Sequence, residues 1–376
     1  MVLNDLQSTE TFPLKPPERT LNNLESNPNP GDPSSVLRSM WNRGKRAAGL
    51  GLTQREIAEL RYQGLYQVVD LTKDFFFSYT YDVTRSLQEN FSSMTAQTFP
   101  PPPFKNMYAW NFFQTRELVE CTSSSTATYW VLPIIQGAFV QRKIIDYGRS
   151  LNLTLLARRS RHFAGTRYLK RGVSDQGKVA NDVEHEQMLH DESGSGSFSS
   201  FLQMRGSIPT YWTQESSVTM PKPPIVLNRV DPAYTATQLH FEDLMKRYSS
   251  PILVLDLVKQ SEKREREVIV GNEYRHAIDY LNSYIDDKYK IRYCALDYSH
   301  ISKSRKLNIS TSLNQVATWS VNQTGFFCSK PSWKICEDTK IEPYENPENT
   351  KLLSSLLDIP IFPMEQKGVL RTNCIE

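Results

Sequence analysis

The sequence predicts an α/β fold in which a mixed, largely parallel sheet is flanked by helices. Apolar runs of strand length alternate with helical stripes through residues 251–321, and such alternation is typical of parallel sheets. Hydrophobic residues make up 39% of the 376 residues and include 18 Tyr, 17 Phe and 6 Trp, enough for a sizeable core. The net charge of only +3 provides no bulk positive field, so we expect no nucleic-acid partner.

The first half of the chain begins with a predicted disordered tail at residues 1–45. Six of the 22 prolines lie within residues 1–36, among polar residues with no helical or strand period. A basic segment at 43–46 is interpreted as a solvated linker rather than a targeting signal. Aromatic and β-branched residues then favour strands from residue 62 through the DFFFSYTYDVT run. After a four-proline spacer, we expect a short helix and two buried strands, at residues 110–119, 130–140 and 151–157.

The second half begins with a small polar loop and then alternates between strand and helix patterns. Runs such as PILVLDLV have the length and β-branched content of buried strands, whereas the stripe that includes Val270, Tyr274 and Leu281 has a helical period. We therefore expect a loop at residues 191–200, strands at 251–258 and 291–298, and helices at 262–285 and 302–321. A short last strand is expected at residues 369–370. Ligands of such sheets bind beyond the carboxyl ends of the strands.

A basic stretch at residues 158–171 contains six Arg and Lys and no acid. It could hold a polyphosphorylated ligand through charge-assisted hydrogen bonds. The alternative is a solvated positive face paired with acidic residues just downstream, since runs of like charge are usually surface features. Those acids are Asp175, Asp182, Glu184 and Glu186.

Cys374 follows the last predicted strand. A cysteine at such a place can be a thiolate of low pKa beside a phosphate-binding loop, as cysteine-dependent phosphatases require. The alternative is an ordinary exposed thiol. No metal site is expected, because the spacing of His185 and His190 does not place both on one face of a helix.

The cysteines and the absence of a secretory signal favour a cytoplasmic protein. The five cysteines are an odd number without paired spacing, which predicts free thiols in a reducing compartment. The longest apolar stretch, residues 129–140, is too short for a membrane span and favours a strand.

Four blocks of the sequence, in the same order, resemble the Sac-type phosphoinositide phosphatases over residues 60–376. They are DFFFSYTYDVTRSLQ (74–88), SRHFAGTRYLKRGVSDQGKVANDVEHEQ (160–187), FLQMRGSIPTYWTQ (201–214) and KGVLRTNC (367–374). The last resembles the start of the family's catalytic loop, R-x-N-C-x-D-C-L-D-R-T-N. RGSIPTYWTQ followed by MPKPPI is most similar to the branch that acts on phosphatidylinositol 3,5-bisphosphate.

The resemblance implies roles for individual residues. Cys374 matches the nucleophile, and Arg371, Thr372 and Asn373 match the residues that lead into it. Headgroup contacts are implied for the basic residues Arg167, Lys170 and Arg171. The implied reaction is hydrolysis of an inositol-ring phosphate, the 5-phosphate of phosphatidylinositol 3,5-bisphosphate, through a cysteinyl-phosphate.

The resemblance also implies the surroundings of the protein. No cofactor is expected beyond possible modulation by Mg²⁺. The expected partners are a phosphoinositide lipid at a membrane surface and a complex of a helical-repeat scaffold with a phosphoinositide kinase. The expected location is peripheral, on endosomal, lysosomal or vacuolar membranes.

Two departures from the family pattern give a second hypothesis. Glu376 stands where the family loop has Asp, and the sequence ends before the loop Arg; residues 1–50 also show nothing like the family's amino-terminal β-rich subdomain. Residues 46–376 are therefore expected to form an incomplete Sac-type phosphatase domain without activity of its own. The alternative function is a catalytically dead form that binds lipid or a scaffold, and the coding sequence beyond residue 376 would distinguish the two.

Overall fold

The computed structural model describes most of the chain after residue 53. The described residues are 54–66, 73–95, 104–122, 130–146, 148–165, 170–192, 196–214, 223–263, 266–303, 308–329, 364–373 and 375. The predicted tail, the basic linker and the proline spacer lie outside them, so the boundary at residue 45 stays a prediction. By internal contacts the chain divides into two compact units, Glu10–Phe75 and a larger unit that contains residues 76–376.

Helix α1 (Gln54–Tyr66) is the described helix of the smaller unit. The prediction of strands from residue 62 is therefore wrong as far as Tyr66. Glu, Ala, Leu, Arg and Gln dominate this segment, and their helix propensity outweighs the β-branched residues that follow it. The strand prediction for the aromatic run is correct only at β1 (Phe75–Phe76), after which Ser78 and Asp82 bond to nearby backbone amides in turns.

In the larger unit, the predicted order of strand, helix, strand and helix is correct over residues 251–321, whereas the predicted loop at residues 191–200 is wrong from Phe198, where a strand begins. The elements of this unit are α2 (Leu87–Thr95), α3 (Phe112–Cys121), β2 (Ile135–Asp146), β3 (Arg149–Arg159), β4 (Val183–Asp191), β5 (Phe198–Arg205), β6 (Trp212–Gln214), β7 (Ile225–Leu227), α4 (Thr235–Tyr248), β8 (Ile252–Asp256), α5 (Glu267–Asn282), β9 (Arg292–Ala295), α6 (Tyr298–Lys303), α7 (Ile309–Thr324), β10 (Phe327–Cys328) and β11 (Val369–Asn373).

One mixed sheet of nine strands organises these elements, and the predicted α/β class is confirmed. Its order is β1-β2-β3-β4-β5-β11-β8-β9, with β10 beside β5. Strands β2 to β5 form an antiparallel meander, whereas β5, β11, β8 and β9 run parallel. The last strand in the chain, β11, is thus inserted between β5 and β8.

The two halves of the sheet are buried differently. In the parallel half, Ile252 and Val254 pack with residues of α4 and α5, while Leu253 and Leu370 pack with Trp319 of α7 on the other face. The antiparallel half contributes one core cluster, around Tyr108, Ile135, Leu156 and Met188. The predicted strand at 151–157 is therefore correct and that at 130–140 is correct from Ile135, but their burial is overestimated because antiparallel sheets can leave one face in water.

Candidate functional site

The candidate site lies at one edge of the sheet, where β11 ends. The register pairs Arg159 with Val183, Val183 with Arg205, Arg205 with Thr372, and Thr372 with Leu255. The carboxyl ends of β5, β11, β8 and β9 therefore lie at one edge, which is where parallel sheets place their ligands. Cys374 is the next residue after β11 and lies outside the described residues.

A glycine sets the start of β11. Gly368 has φ +89°, and a Cβ at this position would lie 2.1 Å from the carbonyl oxygen of Pro251. The Gly368 amide donates to the carbonyl of Tyr248 at 2.6 Å, and the Val369 amide donates to that of Pro251. This close approach fixes the register of β11 against β8, and hence the position at which the strand ends.

Arg371 is buried at the centre of the edge, with 1% of its surface exposed. Its Nε donates to Nε2 of His240 at 2.9 Å, and another guanidinium nitrogen donates to the carbonyl of Ser207. Its Nη1 lies 3.4 Å from Oδ1 of Asn373. These hydrogen bonds fix the guanidinium in place three residues before Cys374, and the described groups that accept them are neutral.

His240, on α4, is held in its neutral form. Burial lowers its pKa well below the ordinary value, and the positive charges of Arg371 and Arg247 lower it further. Its Nδ1 lies 3.1 Å from the carbonyl oxygen of Gly177. Because Nε2 accepts from Arg371, we assign the ring proton to Nδ1, which donates to Gly177.

Asn373 is held on its other side by a carboxylate. Its Nδ2 donates to Oδ1 of Asp256 at 2.6 Å, and the Tyr293 hydroxyl donates to Oδ2 at 2.5 Å. Burial raises the pKa of Asp256, and the bonds from Tyr293, the Val258 amide and Asn373 oppose that rise. This network connects the ends of β8 and β11 with Tyr293 of β9, so the residue before Cys374 is fixed in backbone and side chain.

The predicted site residues have different surroundings. Arg371 and Asn373 are buried and Thr372 is half-buried, so the first two position the end of the strand. Lys170 is exposed, with its Nζ 4.8 Å from the Phe163 ring centroid. Arg171 is buried, donates to Oε1 of Gln214 and lies over the Trp212 ring, so it does not belong to an exposed basic face. Arg167 lies outside the described residues.

The interpretation of the basic stretch as a solvated face is wrong for Arg158. Its guanidinium is fully buried, forms ion pairs with Glu184 and Glu186, and donates to two backbone carbonyls. These two glutamates are therefore core residues, since a buried charge requires a partner. Within the described part of the chain no cluster of three or more His, Cys, Asp or Glu is arranged for a metal. No described helix is long and apolar enough to cross a bilayer.

Two residues of the site were not predicted. The predicted strand at 251–258 ends at Asp256 in the structure. A carboxylate at the carboxyl end of a buried strand could have been selected from the sequence. His240 gave no such signal, because its contact with Arg371 spans 131 residues of chain.

Comparison with known proteins identifies the family of this chain. The SacI homology domain family matches residues 4–303. The chain belongs to this family. One similar relative is the phosphatidylinositol-3-phosphatase SAC1 of Arabidopsis thaliana. It is 47% identical over 361 residues, and the alignment covers 85% of this chain and 38% of the relative. The polyphosphoinositide phosphatase of Schizosaccharomyces pombe is 38% identical, with 82% and 34% covered. The SacI homology chain therefore spans little more than a third of either relative.

Proposed function

We propose that this chain carries the nucleophile of a phosphoinositide phosphatase. The observation that supports the proposal is the placement of β11. The strand bearing Arg371-Thr372-Asn373 is inserted between two parallel strands, is fixed on both sides at the carboxyl edge, and is followed by Cys374. The names of the relatives support the substrate class, because those proteins are phosphatases of phosphoinositides.

The proposed chemistry begins with the Cys374 thiolate. A fixed positive charge nearby lowers a thiol pKa, and in this proposal Arg371, three residues earlier in the chain, supplies that charge. The thiolate attacks phosphorus, an S–P bond forms, and the P–O bond to the inositol ring breaks. The departing ring oxygen takes a proton, and water then hydrolyses the cysteinyl-phosphate to release phosphate and restore the thiol.

The proposed substrate is the 5-phosphate of phosphatidylinositol 3,5-bisphosphate. The RGSIPTYWTQ and MPKPPI segments support it through their similarity to that branch of the family. The 3-phosphate, which the name of the Arabidopsis relative specifies, is the alternative that an assay must distinguish. We also propose peripheral attachment to endosomal, lysosomal or vacuolar membranes, a scaffold–kinase complex as partner, and no cofactor apart from modulation by Mg²⁺.

The test measures phosphate release from phosphatidylinositol 3,5-bisphosphate and from each monophosphate. It compares residues 1–376 with a protein in which Glu376 is followed by the rest of the family loop, C-L-D-R-T-N, and the helix after it. We expect turnover by the extended protein, loss of it in Cys374→Ser, and none by residues 1–376. Release that survives Cys374→Ser would show that another residue is the nucleophile.

A further inference from the structure

Aromatic and cationic side chains lie together on the surface beside the end of β3. The Arg161 guanidinium carbon lies 4.3 Å from the ring centroid of Phe112 and 5.0 Å from that of Phe113. Phe113 is 69% exposed and Trp130 is 76% exposed. Phe163 follows Arg161 by two residues, and the Nζ of Lys170 lies 4.8 Å from its ring centroid. We define the aromatic–cationic surface by these two groups and Trp130, that is by Phe112, Phe113, Trp130, Arg161, Phe163 and Lys170.

Hydrogen bonds hold this surface in place. Asn111, which precedes α3, donates to the Leu132 carbonyl at 2.8 Å and accepts from the Ile134 amide at 3.0 Å. These bonds keep the segment that follows Trp130 beside the start of α3. The Arg161 amide also donates to the Met107 carbonyl, so the surface is a built feature of the fold.

The charge of Arg161 remains available to a partner. The described groups that hold its guanidinium are neutral, namely the carbonyl and side-chain oxygens of Asn106 and the two Phe rings. Arg158, three residues earlier, is by contrast neutralised by two buried glutamates. On α3, Glu120 is paired with Arg116, while Glu117 is exposed. The surface has two cations, Arg161 and Lys170, and Glu117 is an exposed acid beside it, so its net charge is positive.

The surface flanks the same edge of the sheet as the end of β11. Arg159, the last residue of β3, lies in the same row of cross-strand partners as Thr372, because Val183 and Arg205 pair between them. Three strand spacings separate β3 from β11, which is about 14 Å. Exposed aromatic rings beside cations are typical of surfaces that bind the headgroup region of a bilayer.

We propose that the aromatic–cationic surface docks on an anionic phospholipid bilayer and thereby turns the carboxyl edge of the sheet toward the membrane. The rings enter the headgroup region, while Arg161 and Lys170 contact lipid phosphates. The proposal rests on the proposed function only in that a site acting on lipid must face a membrane. Its ligand is the bulk anionic bilayer, not the phosphoinositide substrate.

The experiment measures co-sedimentation of the full chain with vesicles of phosphatidylcholine, with and without about 20% phosphatidylserine. We expect binding to the anionic vesicles that weakens as salt rises from about 0.1 to 0.5 M. Arg161→Gln should weaken binding about fivefold, the factor equivalent to ~1 kcal/mol for one cation near such a membrane. Arg161→Lys should restore most of it, and Glu117→Gln should strengthen binding.

Two exposed aromatic residues allow a test that does not perturb the fold. Phe113→Ser and Trp130→Ser should each weaken binding, with thermal unfolding unchanged. Ile145→Ser is the matched control, because Ile145 is also 76% exposed and lies at the other end of β2, about 30 Å away. Equal binding by Phe113→Ser, Trp130→Ser and the unchanged chain would overturn the proposal, as would equal loss in Ile145→Ser. Vesicle binding without phosphate release by the protein extended with the rest of the family loop would support this surface and count against the proposed function alone.

Discussion

Among single residues, His240 holds Arg371 through a contact that depends on the protonation state of its own ring. The ring nitrogen that accepts from Arg371 is available only while His240 is neutral. Protonation of His240 would remove that acceptor and place two cations together in the core. The position of the residues before Cys374 therefore depends on the protonation state of His240, which lies on α4.

This link predicts how stability changes with pH. The pKa of His240 is lowered in the folded chain, so the unfolded chain binds one proton more as pH falls below the ordinary histidine value of about 6.5. The free energy of unfolding should then fall by up to about 1.4 kcal/mol per pH unit until the folded-state pKa is reached. In His240→Gln, the free energy of unfolding measured in urea should change less steeply with pH, by up to that slope. Parallel curves for the two proteins would contradict the assignment.

The ion pairs of Arg158 predict a second effect. Arg158→Met leaves Glu184 and Glu186 without their buried cation, which should lower the free energy of unfolding by about 3–5 kcal/mol. The control is Arg116→Met, because the exposed pair of Arg116 with Glu120 contributes about 0–1 kcal/mol. Urea denaturation of both variants measures the difference. Equal, small losses would show that Arg158 is solvated after all.

Among the elements, β11 depends on one glycine at its start. Gly368→Ala brings a Cβ to 2.1 Å from the Pro251 carbonyl, whereas Gly148→Ala meets nothing within 4 Å. Both glycines have positive φ, so both variants carry a left-handed strain of about 1–2 kcal/mol. Only Gly368→Ala must also displace β11, and we expect it to lose at least about 2 kcal/mol more in urea unfolding. Similar losses in the two variants would show that β11 can shift freely.

Elements with one dominant period were predictable from the sequence. The strand ILVLD, the helix with buried Val270, Tyr274 and Leu281, and the last strand all lie where their patterns place them. The aromatic run after residue 73 was wrongly predicted to be a strand throughout. Ser78 and Asp82 accept hydrogen bonds from nearby backbone amides, and the strand stops after Phe76. The helix at residues 54–66 was missed because no element was predicted for residues 54–61 and the strand-like segment was taken to begin at residue 62.

In the whole molecule, long-range contacts decide which charges are buried, and a sequence pattern does not reveal them. Arg158 bonds to the Val83 carbonyl across 75 residues, and Arg371 bonds to the Ser207 carbonyl across 164. The basic stretch thus separates into a core cation, Arg158, and the surface cations Arg161 and Lys170. The motif KGVLRTNC indicated the correct strand, but the burial of Arg371 and Asn373 depends on the insertion of β11 between β5 and β8.

The unequal covering of the sheet predicts how the same substitution acts in its two halves. Val140 and Leu155 are cross-strand partners, each 46% exposed, on the open face of the antiparallel half, whereas Val254 of β8 is fully buried. Val254→Thr buries a hydroxyl and should lower the free energy of unfolding by about 1–3 kcal/mol. Val140→Thr should change it by less than about 0.5 kcal/mol, since Thr suits an exposed strand position. Binding of an apolar dye to the native chain should decrease in Val140→Thr with Leu155→Thr. A Val140→Thr loss equal to that of Val254→Thr would mean that this face is covered in solution.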